Sequence, residues 1–187
     1  MALKATIHKV RLQLADMDRN IYGDHELTIA RHPSETDERM LMRLLAFALN
    51  VPADDDRGAL ELAKSLWDTD EPDLWQRDLT GEIVQWIEVG QPDDRRLSKA
   101  SSRSEQVTIY SYATSTPIWW TALAGKLNRA PKVAVWQIDP AQSQVLADLA
   151  LRSMSWQVSV QDGTVWVSDA SHSIEITPTL LKARGAA

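Results

Sequence analysis

The chain has 187 residues, 44% of them hydrophobic and 25% charged. That is the length of one domain able to bury roughly 70% of its unfolded surface, with a composition that excludes a disordered or fibrous protein. Zero cysteine excludes a disulfide framework, a Cys-ligated zinc or iron–sulfur site and thiol catalysis, and a formal charge of −6 argues against a coat-like nucleic-acid binder but not against an enzyme with a local basic face.

Residues 2–14 alternate polar and apolar and predict a strand, with a return strand over Glu26–Arg31. Pro33-Ser34-Glu35-Thr36-Asp37 opens a helix, with Ser34 as its expected cap and acids suited to the positive end of the dipole. Leu41, Leu44, Leu45, Ala48 and Leu49 carry that helix to Asn50, before Val51-Pro52 ends it. A short helix is expected over Arg57–Leu66, then a hairpin of Asp73–Leu79 and Ile83–Val89 about Thr80-Gly81-Glu82. Beyond it the pattern predicts a helix from Pro92 to Ser102, a strand over Val107–Tyr112 and a helix over Pro117–Leu127. A strand over Lys132–Ile138, a helix over Pro140–Leu151 and a hairpin about Asp162-Gly163 complete the order. Interleaved helices and strands predict an α/β or α+β fold around one mixed sheet, as one domain spanning 1–187.

The longest apolar run, Met40–Leu49, is interrupted by Arg43 and falls far short of the ~18 residues of a membrane span. The N-terminus lacks a signal-peptide core, so the expected compartment is the cytoplasm. There is no phosphate loop, dinucleotide-binding glycine fingerprint, HExxH helix or GxSxG elbow, and the four histidines stand in no ligand-like spacing. The pair Trp119-Trp120 reads as core packing or an exposed anchor for a partner.

What remains is a set of acids and a basic helix. With the turn centred on Gly81, Leu74 faces Glu88 and Asp73 faces Val89, so Asp73 and Glu88 share one end of the hairpin while Asp78 lies near the turn. Two acids so placed repel each other unless they are solvated at a rim or share an oxygen-loving divalent cation. Glu38 stands three residues before Leu41 and seven before Leu45, on the apolar stripe or at its open edge. Arg95, Lys99 and Arg103 recur at i, i+4 and i+8, with Arg96 beside them; they form a phosphate-binding face or an ordinary solvated one.

The segments HPSETDERMLMRLLAFAL and PDLWQRDLTGEIVQWIEVGQPDDRRLSKAS resemble the bacterial YaeQ family along essentially the whole chain. The resemblance implies a core similar to the PD-(D/E)XK nucleases, with extra N- and C-terminal strands. In that pattern Pro72-Asp73 matches the PD element, Glu88 the following acid, and Glu38 the acid of the first core helix. The lysine position is Gly90, which leaves Gln91 and Lys99 as candidates for its role. The resemblance thus implies a Mg²⁺- or Mn²⁺-dependent phosphodiesterase. Asp73, Glu88 and Glu38 would be metal ligands, Gln91 or Lys99 would position the nucleophile, and Arg95, Arg96, Lys99 and Arg103 would hold a nucleic-acid backbone. The alternative is a binding or regulatory module that keeps the fold without the chemistry.

Overall fold

Val10, Leu12 and Leu14 point inward between exposed Lys9, Arg11 and Gln13, so the first strand can cover a core on one face and meet water on the other. In the computed structural model, which describes residues 4–185, this strand is β1 (Thr6–Asp16) and pairs antiparallel with β2 (Ile21–Arg31). The first two residues of the expected strand lie outside the described residues. Three C-terminal strands, β8 (Ser153–Gln161), β9 (Thr164–Ser168) and β10 (Ser173–Ile176), join the other edge of β1. The junction is parallel, with Leu12 opposite Trp156.

A second sheet carries the middle of the chain, in the order β11-β7-β6-β5-β4-β3. Its strands are β3 (Leu60–Leu62), β4 (Leu74–Arg77), β5 (Ile83–Val89), β6 (Ser104–Ser111), β7 (Val133–Gln137) and β11 (Thr179–Lys182). The expectation of a single sheet is therefore corrected to two. The reason is topological: β1 is completed by a strand some 140 residues further on, and such a pairing leaves no local sequence signal.

Helix α1 (Asp37–Asn50) lies between the sheets. Every residue from Met40 to Ala48 is buried, including Arg43, as suits a helix apolar on nearly all sides. Its cap is Thr36, whose hydroxyl accepts from the Arg39 N–H at 3.1 Å; the expected cap, Ser34, instead bonds the His32 ring at 2.6 Å. The outer face of the second sheet packs on α2 (Asp94–Arg103) and α3 (Thr116–Leu127) through Trp86, Leu97, Ala100, Val107, Ile109, Leu123 and Leu127. The α4 helix (Pro140–Ala147) packs against α1. The expected helix over Arg57–Leu66 is instead β3 and a single 3-10 turn, Ser65–Trp67. Leu60 and Leu62 alternate as a strand does, and pairing to β4 decides the conformation. No helix among the described residues is long and apolar enough to cross a membrane.

Strands β3, β4 and β5 form an antiparallel meander, and β6 returns through α2 to lie parallel to β5. The meander follows α1 directly in the chain, so the ends of β4 and β5 meet the first turns of both α1 and α2.

Candidate active site at the ends of β4 and β5

The hairpin register is one residue away from the expected one: Arg77 pairs with Ile83, which centres the turn on Thr80 and not Gly81, and an irregularity between Gln76 and Arg77 restores one of the two residues lost. Leu74 pairs with Ile87, so Asp73 comes opposite Glu88 rather than Val89. Asp78 is kept at the other end, where its Oδ1 accepts from the backbone of Thr80 and Glu82 at 2.8 and 3.1 Å.

Both acids are buried, Asp73 at 1% exposure and Glu88 at 5%, so each must find partners. Asp73 Oδ1 accepts from Arg39 Nη2 at 2.6 Å and from the Ser65 hydroxyl, and its Oδ2 accepts from the Val89 N–H at 2.7 Å. Glu88 Oε1 accepts from Trp86 Nε1 and Arg96 Nε, each at 2.7 Å. Burial first, and then the charge of Asp73, push the Glu88 carboxyl up to about 7, against the opposing pull of Arg96 and the Trp86 N–H. Glu88, Gln91, Arg39, Arg96, Ser65 and Val89 line a cavity of about 250 Å³.

Arg39 belongs to a larger ion network. Glu35, buried at the entry to α1, accepts from Arg39 Nη1 at 2.8 Å and from Arg43 Nη1 at 3.2 Å. Sequence reasoning missed Glu35, Arg39, Arg43 and Ser65. A signal for three of them exists, since Glu35, Arg39 and Arg43 recur every four residues and Arg43 is the sole charge inside an apolar run. Ser65 carries no such signal.

Glu38 is not brought to this pair. Its Oε1 accepts from the Ser143 hydroxyl of α4 at 2.6 Å, because α4 covers that side of α1. Gln91 does reach the cavity, and its side chain exchanges hydrogen bonds with Ser115 at 3.0 and 3.1 Å. Lys99 does not line it; it pairs with Asp70. The basic stripe is divided in use. Arg96 ties Glu88 to the carbonyls of Thr69 and Glu71 at 2.7 and 2.8 Å. Arg103 donates to the Asp70 carbonyl at 3.3 Å, and Arg95 is exposed.

Gly90 holds φ +120°, a backbone conformation that side-chain-bearing residues rarely adopt. The lysine of the nuclease pattern is thus disfavoured here by conformation, although a Cβ at this position would meet nothing within 4 Å. Gly90→Lys is expected to cost about 1–3 kcal/mol of stability, seen in thermal denaturation as a fall in Tm of roughly 2–12 °C. An unchanged Tm would show that the backbone relaxes freely.

The YaeQ family model, described as YaeQ protein, matches residues 1–178. The chain belongs to the YaeQ family. It is 42% identical over 180 residues to a protein of Salmonella typhi and 40% identical over the same length to one of Escherichia coli (strain K12), each match covering 96% of this chain and 97% of the relative. Both relatives carry the description "Uncharacterized protein YaeQ". The crystal structure of a YaeQ protein from Xanthomonas axonopodis pv. citri is similar at a TM-score of 0.89 and 42% identity, covering 96% of this chain and 99% of the other. One from Pseudomonas syringae gives 0.88 and 36%, covering 97% and 98%.

Proposed function

We propose that the chain is a divalent-cation-dependent phosphodiesterase of the PD-(D/E)XK type that acts on nucleic acid in the cytoplasm as one domain. The observation that carries this reading is the pairing of two buried acids, Asp73 and Glu88, of which one is lifted to about 7 beside a cavity holding Arg39, Arg96 and Gln91. A perturbed acid in a cleft is where chemistry is expected. The order helix, antiparallel meander, helix and parallel strand also supports it.

The acids fit a cation only in part. Two carboxylates suffice for Mg²⁺ or Mn²⁺ when waters and substrate phosphate complete the shell. Glu88 Oε2 has no hydrogen-bond partner among the described residues, and burial first, with the charge of Asp73 second, lifts this carboxyl. Among the described residues no group of three His, Cys, Asp or Glu could hold a metal ion, so such a site rests on Asp73 and Glu88 without Glu38. A cation bound there would polarise the phosphate and acidify its water. Gln91 would orient the attacking water, and Arg39 and Arg96 at the cavity wall would balance charge gathering on the phosphate.

The binding-module reading is favoured by a specific observation: Arg39 and Arg96 already sit on the two acids, and the lysine position is glycine. Purified protein with Mg²⁺ or Mn²⁺ against single- and double-stranded DNA and RNA separates the two. The enzyme cleaves at least one substrate, and Glu88→Ala abolishes cleavage. The module binds without cleaving. Backbone binding led by Arg95 and Arg103 predicts a slope of log affinity against log salt near −2, and Arg95→Gln with Arg103→Gln should flatten it.

A further inference from the structure

Helix α1 ends at Asn50, where Leu49, Asn50 and Pro52 come against Tyr110 of β6 and Val160 of β8. The gap beyond the helix end is a cavity of about 450 Å³, with Leu49, Trp136 and Val165 among its apolar walls. That volume is in the range of small-molecule sites.

Two donors face this space with hydrogen-bonding capacity left over. Tyr110 is 4% exposed, and its hydroxyl accepts from Asn50 Nδ2 at 2.8 Å. A phenol can also donate one hydrogen bond, yet no acceptor for it lies within reach among the described residues. Burial raises the Tyr110 pKa to about 12, so the proton stays in place. Arg184 stands at the rim. The residue is exposed overall, but its guanidinium end is desolvated enough that its pKa is lowered. Its one side-chain hydrogen bond goes to the Thr108 hydroxyl, and no carboxylate pairs with it among the described residues. The two acids of the cavity are committed elsewhere. Asp16 is paired with Arg19 at 2.6 Å, and Asp18 accepts from the backbone N–H groups of Asp162 and Gly163 at 2.7 and 2.9 Å. A buried hydroxyl proton and a guanidinium without a counter-charge, set against apolar walls, ask for one kind of guest.

We infer that the cavity between the two sheets binds a small organic anion, an apolar or aromatic body bearing one carboxylate-like head, with Arg184 and Tyr110 holding the head and Trp136 and Leu49 the body. This site is separate from the acid pair at Asp73 and Glu88 and does not depend on the function proposed there.

The test is calorimetric titration of the full chain with 2-naphthoate and with its neutral isostere, 2-naphthamide. Wild type should bind the carboxylate saturably, at least ~10-fold more tightly than the amide. Arg184→Gln should weaken naphthoate roughly 10–100-fold, the worth of one charge-assisted hydrogen bond, while changing naphthamide less than ~3-fold. Tyr110→Phe should weaken naphthoate as well, with its melting temperature recorded to show that the fold is kept. Absence of saturable binding, equal affinity for the two probes, or naphthoate affinity unmoved by Arg184→Gln each overturns the assignment.

Discussion

Replacing Glu35 by Ala should lower the free energy of unfolding by about 3–5 kcal/mol, moving Tm down by roughly 6–20 °C. Glu35 is 3% exposed, as is Arg43, and its carboxylate receives both Arg39 and Arg43. Removing it leaves the Arg43 guanidinium buried, with Asp73 at 3.9 Å as its other acid. The expected loss is thus mainly the cost of an uncompensated charge, not the net worth of the pair. Two comparisons make the cause visible. Glu35→Leu combined with Arg43→Met removes both charges and should cost well under the sum of the two single changes. Glu26→Ala removes an ion pair whose side chains are 78% and 83% exposed, and it should cost under ~1 kcal/mol. Urea denaturation of Glu35→Ala, Glu26→Ala, the double variant and its two single variants, Glu35→Leu and Arg43→Met, decides the matter. A loss below ~1 kcal/mol for Glu35→Ala would mean that the network adds nothing beyond a surface pair.

This network also shows where sequence reading ran out. The strands and helices from Pro72 to β9 are legible because each carries its own local pattern: Thr80-Gly81 marks the hairpin and Asp93 caps α2, accepting from the Arg96 N–H at 2.8 Å; β10 and β11 carry none strong enough to place them. Placement of Asp73 and Glu88 at one end followed from the same hairpin, within one residue of register. Long-range partnerships were not legible. Nothing local tells that β8 will flank β1, that α4 will draw Glu38 to Ser143, or that Ser65, inside the stretch Arg57–Leu66 expected to be helical, will turn its hydroxyl to Asp73. Charge pairing is hard to read locally for a related reason. Two acids close together suggest solvation at a rim or a shared cation, and local sequence does not show that Arg39 and Arg96 sit within hydrogen-bond distance of them. The sequence groups Arg96 with the cations expected to hold a backbone, whereas its reach across to Glu88 is set by the packing of α2 on β5 and β6.

The acid pair itself should be visible in stability against pH. Glu88 has an ordinary pKa of 4.5 and is held at about 7 in the folded chain, so the folded state keeps a proton that the unfolded state releases. Its contribution is present in full below pH 4.5 and is lost as pH rises through about 7. At 1.36 kcal/mol per pH unit the loss amounts to about 3 kcal/mol, or a fall in Tm of roughly 6–12 °C between pH 5 and pH 8 from this group. Glu88→Gln carries no titrating proton. It should match the wild type at pH 5 and exceed it at pH 8 by nearly that amount. A divalent cation competes with the proton for the same oxygens, so its effect should have the opposite pH dependence. Mn²⁺ at a hundredfold excess over its Kd adds ~2.7 kcal/mol. That should raise the wild-type Tm by roughly 5–10 °C at pH 8, by much less at pH 5, and scarcely at all in Glu88→Gln. Thermal scans of both proteins at the two pH values, with and without ~10 mM Mn²⁺, separate the possibilities. A pH response without a Mn²⁺ response would keep the strained acid pair and leave the binding module. Wild type and Glu88→Gln running parallel across the whole pH range would remove Glu88 as a perturbed acid, and with it the observation on which the phosphodiesterase reading stands.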